Sequence, residues 1–213
     1  MKKSIKYISL LLACLLTFPL LSSCGAPKLE TVKDRFIELI EASYPLNDIF
    51  FGAGLETYSR DSEFAQEHRI YDDISAGYDN YEIVKENMTY YDVDAIREQA
   101  EKVYSAEYLK GIYTMAFDGY ADSNTGAVAT ARYLMDNTTM LRYAYGEKDT
   151  FDVLNGKQRR YHFDSMEIKR PSSSSYVNLS IDSYLVGDEQ NILNVTLRFV
   201  FFDGEWYLDS PTY

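Results

Sequence analysis

The chain has 213 residues, enough for one domain with a real hydrophobic core, and 33 acidic against 21 basic side chains give it a net charge of −12 at pH 7. A surface that acidic repels phosphate backbones, so nucleic acid is excluded as an expected partner. With only two cysteines and two histidines, multi-histidine and multi-cysteine zinc sites are excluded as well.

In chain order, Lys2, Lys3 and Lys6 come first, then an apolar run from Tyr7 to Leu21, then Leu21-Ser22-Ser23-Cys24. That order is the pattern of a secretory signal peptide, and the run is too short for a comfortable membrane span. A small-residue cleavage site closing on cysteine resembles the lipobox of bacterial lipoproteins. The resemblance implies that residues 1–23 are removed and that Cys24 carries a thioether-linked diacylglycerol. The leader holds three lysines and no acid, so its loss takes the net charge from −12 to −15 and leaves 190 residues. Cys14 departs with the leader and Cys24 is used by the lipid, which leaves the folded part no disulfide and no thiol nucleophile. Residues 24–28 form a tether whose last four residues reach about 13 Å when extended. The expected location is the outer side of a bacterial membrane, either the plasma membrane or the outer membrane. The strong negative charge is expected to hold the domain off the lipid surface.

Residues 29–213 are expected to form a single α+β domain, with a helical part at 29–119 and a β-rich part at 130–213. Leu29, Val32, Phe36, Ile37, Leu39 and Ile40 recur at helical spacing, and Pro45 is expected to stop that helix. From Leu46 to Asn80 the pattern predicts loops with short helical pieces, with Phe50 and Phe51 pinned into the core. Tyr81–Val84 reads as a short strand. Asp92 is expected to cap a helix that buries Val93, Ile96, Ala100, Val103 and Tyr104. Ser105 is expected to cap a second helix through Leu109, Ile112 and Ala116, ending at Asp118-Gly119.

Beyond the loop Asp122–Gly126 the period changes to two. Leu141, Tyr143 and Tyr145 alternate, as do Val177, Leu179 and Ile181, and again Leu193, Val195, Leu197, Phe199 and Phe201. Asn178, Ser180, Asp182, Asn194, Thr196 and Arg198 are expected to face water. Tyr161 and Phe163 share one parity while Met166 and Ile168 share the other, so a bulge near Asp164-Ser165 is expected to return all four to one face. Asp203-Gly204 predicts a tight hairpin with Trp206 and Leu208 on the return strand.

Helices followed by four to six long antiparallel strands predict an α+β fold with the N-terminal helices packed on one curved sheet. That layout, with the ending Phe202-Asp203-Gly204-Glu205-Trp206-Tyr207-Leu208-Asp209, resembles the nuclear transport factor 2-like, or cystatin-like, cone. Enzymes on such cones set a carboxylate beside a histidine or tyrosine in the pocket. Here the resemblance points to His162 and Asp164, two apart on one strand, although the bulge would turn His162 to water. His68 lies among Glu63, Glu67, Asp72 and Asp73, which solvation explains without a metal, and no metal or cofactor is expected. Twenty tyrosines serve as strand and helix packing; a binding edge built from Tyr133, Tyr143, Tyr145 and Trp206 is the candidate ligand site. The function expected is non-enzymatic: a lipid-anchored envelope protein that binds a partner protein or cell-wall ligand. One alternative is an inhibitor or regulator of peptidoglycan hydrolases, since the helix-then-strand order is similar to that of secreted inhibitors of cell-wall D,L-endopeptidases. The other alternative is a small-pocket enzyme using His162 and Asp164.

Overall fold

A computed structural model describes residues 25–68, 80–121, 128–144 and 151–213. Its first element corrects the sequence expectation: helix α1 (Leu29–Phe51) runs straight through Pro45. An interior proline costs a helix about 3 kcal/mol, because it removes one N–H and crowds the carbonyl four residues back. That carbonyl belongs to Glu41, and both Glu41 and Pro45 are exposed, so water can satisfy it. The turns beyond the proline bury Leu46, Ile49, Phe50 and Phe51. At roughly 1.5–3 kcal/mol for each large apolar side chain, their burial outweighs the proline.

Helix α2 (Glu63–Glu67) is a short turn capped by Ser62. Helices α3 (Val93–Glu101) and α4 (Ala106–Tyr113) start where their caps predict. The Asp92 carboxylate accepts from the Ala95 N–H at 2.6 Å and the Ser105 hydroxyl from the Tyr108 N–H at 3.1 Å. Val103 and Tyr104 lie outside α3, in a short link to α4 that turns at Lys102 and Val103.

The strands divide into separate sheets where one curved sheet was expected. β6 (Arg159–Lys169), β7 (Tyr176–Leu185), β8 (Asp188–Phe202) and β9 (Glu205–Leu208) form an antiparallel four-stranded sheet in that order. β1 (Tyr81–Ile83), β4 (Tyr133–Asp136) and β5 (Thr139–Tyr143) form a three-stranded sheet ordered β1-β5-β4. β2 (Tyr120–Ala121) and β3 (Val128–Ala129) make a separate ribbon.

α1 packs across one face of the larger sheet. Phe36 stacks on Phe199 with ring centroids 3.8 Å apart and meets Trp206 edge-on at 5.4 Å. Val177, Leu179, Ile181, Leu197, Phe199 and Leu208 are buried beneath it, as their alternation predicts. The β6–β7 register breaks between His162 and Glu167, and Tyr161, Phe163, Met166 and Ile168 all join the core. Ser165 repairs the break, because its hydroxyl accepts from the Asp182 N–H at 2.8 Å and donates to the His162 carbonyl at 2.7 Å. The β8–β9 turn holds Asp203 at φ 49° and Gly204 at φ 87°, the backbone that a tight hairpin requires.

Polar groups tie the C-terminal tail into this core. The Thr212 hydroxyl lies 2.6 Å from Ser43 Oγ and accepts from Asn47 Nδ2 at 2.8 Å, while the Tyr104 hydroxyl donates to Asn47 Oδ1 at 2.9 Å. All four residues are buried. Asn47→Ala takes the amide partner from the buried Tyr104 hydroxyl and one of two partners from Thr212, and is expected to lower the unfolding free energy by about 1–3 kcal/mol in urea melts. A loss within error of zero would show that the network adds nothing.

Burial raises the tyrosine hydroxyls: Tyr44 is pushed up to about 12, and Tyr104, Tyr108, Tyr113, Tyr133 and Tyr161 are raised with it. An acid whose folded pKa lies above its unfolded value of about 10 stabilises the fold below pH 10, and that contribution is lost as pH rises toward 12. Tyrosinate absorbance is therefore expected to rise together with loss of far-ultraviolet circular dichroism in that window. Titration of these tyrosines near pH 10 with the dichroism intact would overturn this.

Candidate functional site

β9 is an edge strand, and the link between α3 and α4 covers only part of that edge. The Leu208 N–H donates to the Val103 carbonyl at 2.9 Å, and the Ser105 N–H donates to the Leu208 carbonyl at 2.7 Å, which makes a single parallel bridge. A groove opens on each side of it. The two share Glu101 and Tyr207 and so form one trough along the sheet edge.

The charged groove, about 740 Å³, lies between α1, α3 and β9, with Leu39, Leu46 and Val103 as its apolar lining. Arg35 organises its rim. Its guanidinium pairs with Glu38 at 3.0 Å, reaches the Trp206 carbonyl at 3.4 Å and places Nε 4.0 Å from Glu205. Across the groove Lys102 pairs with Glu98 at 2.7 Å, and this bond and the Lys102 charge hold the Glu98 carboxyl below its ordinary value. Such exposed pairs contribute little to stability and give the rim its charge pattern.

The aromatic groove, about 690 Å³, lies between α4 and the β8–β9 hairpin. Leu109 and Tyr104 face Val200, Phe201 and Phe202 across it. Phe202 is 73% exposed and Phe201 41%, so the fold leaves the Phe202 ring largely unburied and the Phe201 ring partly so. Asp209 sits at the base. It accepts from the Ser105 hydroxyl and pairs with Arg198 at 3.1 Å, and Arg198 lies over the Tyr176 ring at 5.2 Å. Ser105 is committed on both sides, to Asp209 and to the α4 cap. The trough presents aromatic surface at one end and alternating charges at the other.

The residues singled out from sequence lie elsewhere. Tyr133 is fully buried, its hydroxyl donating to the Ile49 carbonyl at 3.0 Å and accepting from the Leu55 N–H at 3.0 Å. Tyr143 packs on the other face of that small sheet, edge-on to Tyr81 and Phe151 at 5.4 and 5.7 Å. Trp206 belongs to the larger sheet, half-buried between Phe36 and Phe201. Tyr133, Tyr143 and Trp206 therefore do not come together as one wall; Tyr145 and Cys24 lie outside the described residues.

His162 is exposed and packs on Tyr184 at 4.9 Å, while Asp164 points into solvent and meets Lys33 at 3.6 Å. His68 stacks on Phe64 at 4.0 Å with Nδ1 2.9 Å from the Phe64 carbonyl. Asp72 and Asp73 lie outside the described residues, among which no group of three or more histidines, cysteines and carboxylates is placed to hold a metal. No helix among the described residues is long and apolar enough to cross a membrane.

The trough had one visible signal. On β8 the outward parity runs Asn194, Thr196, Arg198 and then turns apolar at Val200 and Phe202, so Phe199–Phe202 is apolar on both faces. The chain matches no known family model, no curated protein and no solved structure.

Phe202→Ser is expected to shift the unfolding free energy by less than about 0.5 kcal/mol, whereas Leu208→Ala, fully buried on β9 opposite Phe199, is expected to cost about 2–4 kcal/mol. A cost at Phe202 as large as that at Leu208 would assign the exposed ring to the fold and not to a surface.

Proposed function

We propose that the protein is a lipid-anchored lipoprotein of a bacterial envelope, and that residues 29–213 form a binding module whose partner enters the trough beside β9. The anchor is argued from Lys2, Lys3 and Lys6, the apolar run and the site Leu21-Ser22-Ser23-Cys24. We take the larger sheet, bulged at β6 and crossed by α1, as the cone-like layout of nuclear transport factor 2-like domains. The observation that carries the binding role is the ring of Phe202, which the fold leaves exposed in the aromatic groove beside a charged one. Apolar surface of that kind, rimmed by charge, marks interaction sites.

A narrower form has its own support. Glu38, Glu98, Glu101 and Glu205 line the charged groove, and the mature chain carries −15. A basic partner surface complements that rim, and steering by net charge makes the encounter salt-sensitive. Peptidoglycan hydrolases share the compartment, and regulation of one is the second reading.

A photoreactive residue in place of Tyr207, in cells, is expected to capture one envelope protein, with yield falling as salt rises. The adduct is expected to pellet with membranes, and Cys24→Ser to release it. The same probe at Thr196, on the outer face of β8, is expected to capture none. Equal capture from both positions would sink the trough as the site. No protein captured from Tyr207 would sink the protein-partner role, and a captured hydrolase that the purified chain inhibits would select the second reading.

A further inference from the structure

Two ends of the larger sheet carry exposed apolar side chains. At the β7–β8 end these are Val186, Ile192 and Leu193; at the other end the ring of Phe202 stands on the β8–β9 hairpin. Exposure alone does not distinguish them, but the path of the chain does. Lys169 pairs with Asn178 and Tyr176 with Val200, so the β6–β7 loop and the β8–β9 hairpin share one end. The Phe201 N–H donates to the Ser175 carbonyl at 2.8 Å and joins the two directly. Across three strand spacings of about 4.8 Å, the loop and the hairpin tip lie within roughly 15 Å of each other.

The N-terminal tether arrives at this same end. Gly25 and Ala26 line a shallow hollow with Ile168, Lys169, Arg170 and Ser172. Cys24 precedes Gly25 in the chain and lies outside the described residues. Arg170 is exposed beside the tether and has no ion pair among the described residues, and Lys28 is exposed as well. Asp203 and Glu205 in the hairpin offset these cations, so net attraction to anionic lipid is not the force available here. An aromatic ring and a guanidinium at one level suit the boundary between headgroups and acyl chains, which takes rings into its apolar side and pairs arginine with phosphate.

We propose that this end of the sheet, with Phe202 and Arg170 foremost, is seated on the lipid bilayer in which the acyl chains of Cys24 are anchored. The proposal rests on the lipoprotein reading above. A single ring binds a membrane too weakly to recruit a free protein, but the anchor makes the contact intramolecular, where a weak contact suffices. The domain then sits against the surface, where net charge alone had suggested that it stands off. The aromatic end of the trough opens at headgroup level, so its partner is itself at the membrane.

The test uses the full chain, processed in cells and reconstituted into phosphatidylcholine vesicles whose acyl chains carry bromine. Phe202→Cys and Ile192→Cys each receive a thiol-reactive fluorophore. Severalfold stronger quenching at position 202 than at 192 is expected, with little change when phosphatidylglycerol is added. Ser174→Cys, exposed in the β6–β7 loop, reports on the same end should Phe202→Cys fold poorly. Equal quenching at both ends, or stronger quenching at 192, overturns the seat while leaving the anchor standing. The unsubstituted chain separates the two failures: fluorophore uptake at Cys24, with the protein free of the vesicles, would overturn the anchor and the seat together.

Discussion

The Thr212 hydroxyl is the point on which the rest of this structure hangs. It engages Ser43 and Asn47 of α1, and Asn47 engages Tyr104, so one threonine near the C-terminus links a helix from the start of the chain with the α3–α4 link from its middle. Each of these groups lies in the interior, where an unpaired hydroxyl or amide is costly. The bonds can form only if the helix continues past Pro45, the tail returns beneath it and the link holds Tyr104 in the core. A buried polar network of this kind specifies one arrangement more sharply than apolar packing, which tolerates many.

The trough follows from the same constraint. α3 stops at Glu101 and α4 starts at Ala106, and the residues between them are drawn onto β9 by the bonds of Val103 and Ser105 with Leu208. Because the link crosses the strand at one place only, an opening remains on each side. At the far end of α1 a second constraint operates. The Gly52 carbonyl accepts from Arg132 at 2.5 Å and the Ala53 carbonyl from Arg142, which brings cations to the negative end of the helix dipole. Gly54 turns there at φ 77°, and a Cβ would fall 2.8 Å from both Arg132 Nη2 and the Tyr133 hydroxyl, so only glycine fits the approach. One end of α1 is thus fixed to the small sheet and its middle to the tail, which leaves the larger sheet to pack along its length.

What sequence showed and what it hid divide along physical lines. Asp92 and Ser105 announce helix starts because a cap is a local hydrogen bond between near neighbours. The bulge near Ser165 is legible because β parity is a local count, and Asp203-Gly204 because the turn backbone selects those residues. The passage of α1 through Pro45 was hidden, since the buried stripe Phe36, Ile40, Ser43, Asn47, Phe50 is interrupted by two polar residues that read as surface. Their partner lies 165 or more positions away, where no periodicity connects them. Arg132, wholly buried against carbonyls, was likewise invisible to a reading that places cations outside. Splitting of the strands into separate sheets depends on which edges meet, which alternation does not record.

The tyrosines show how the two kinds of information join. A chain whose folded part has no cysteine holds its layers together by rings with polar tips. Tyr81 donates to the Ala131 carbonyl at 2.7 Å, Tyr113 to the Arg97 carbonyl at 3.2 Å, and Tyr133 to the Ile49 carbonyl at 3.0 Å. Each ring fills apolar space while its hydroxyl satisfies a backbone group of a different element, so one side chain does the packing and the pairing at once. Against that economy the phenylalanines of the β8–β9 hairpin stand apart. Phe199 is fully buried, whereas Phe201 and Phe202, two and three residues on, are exposed on opposite faces of a strand with little core left to cover them. Rings without polar tips gain nothing from water, and the fold makes use of neither beyond the contact of Phe201 with Trp206. Under the reading proposed above, Phe202 is kept at the sheet end shared with residues 25 and 26 because its partner surface lies outside the chain.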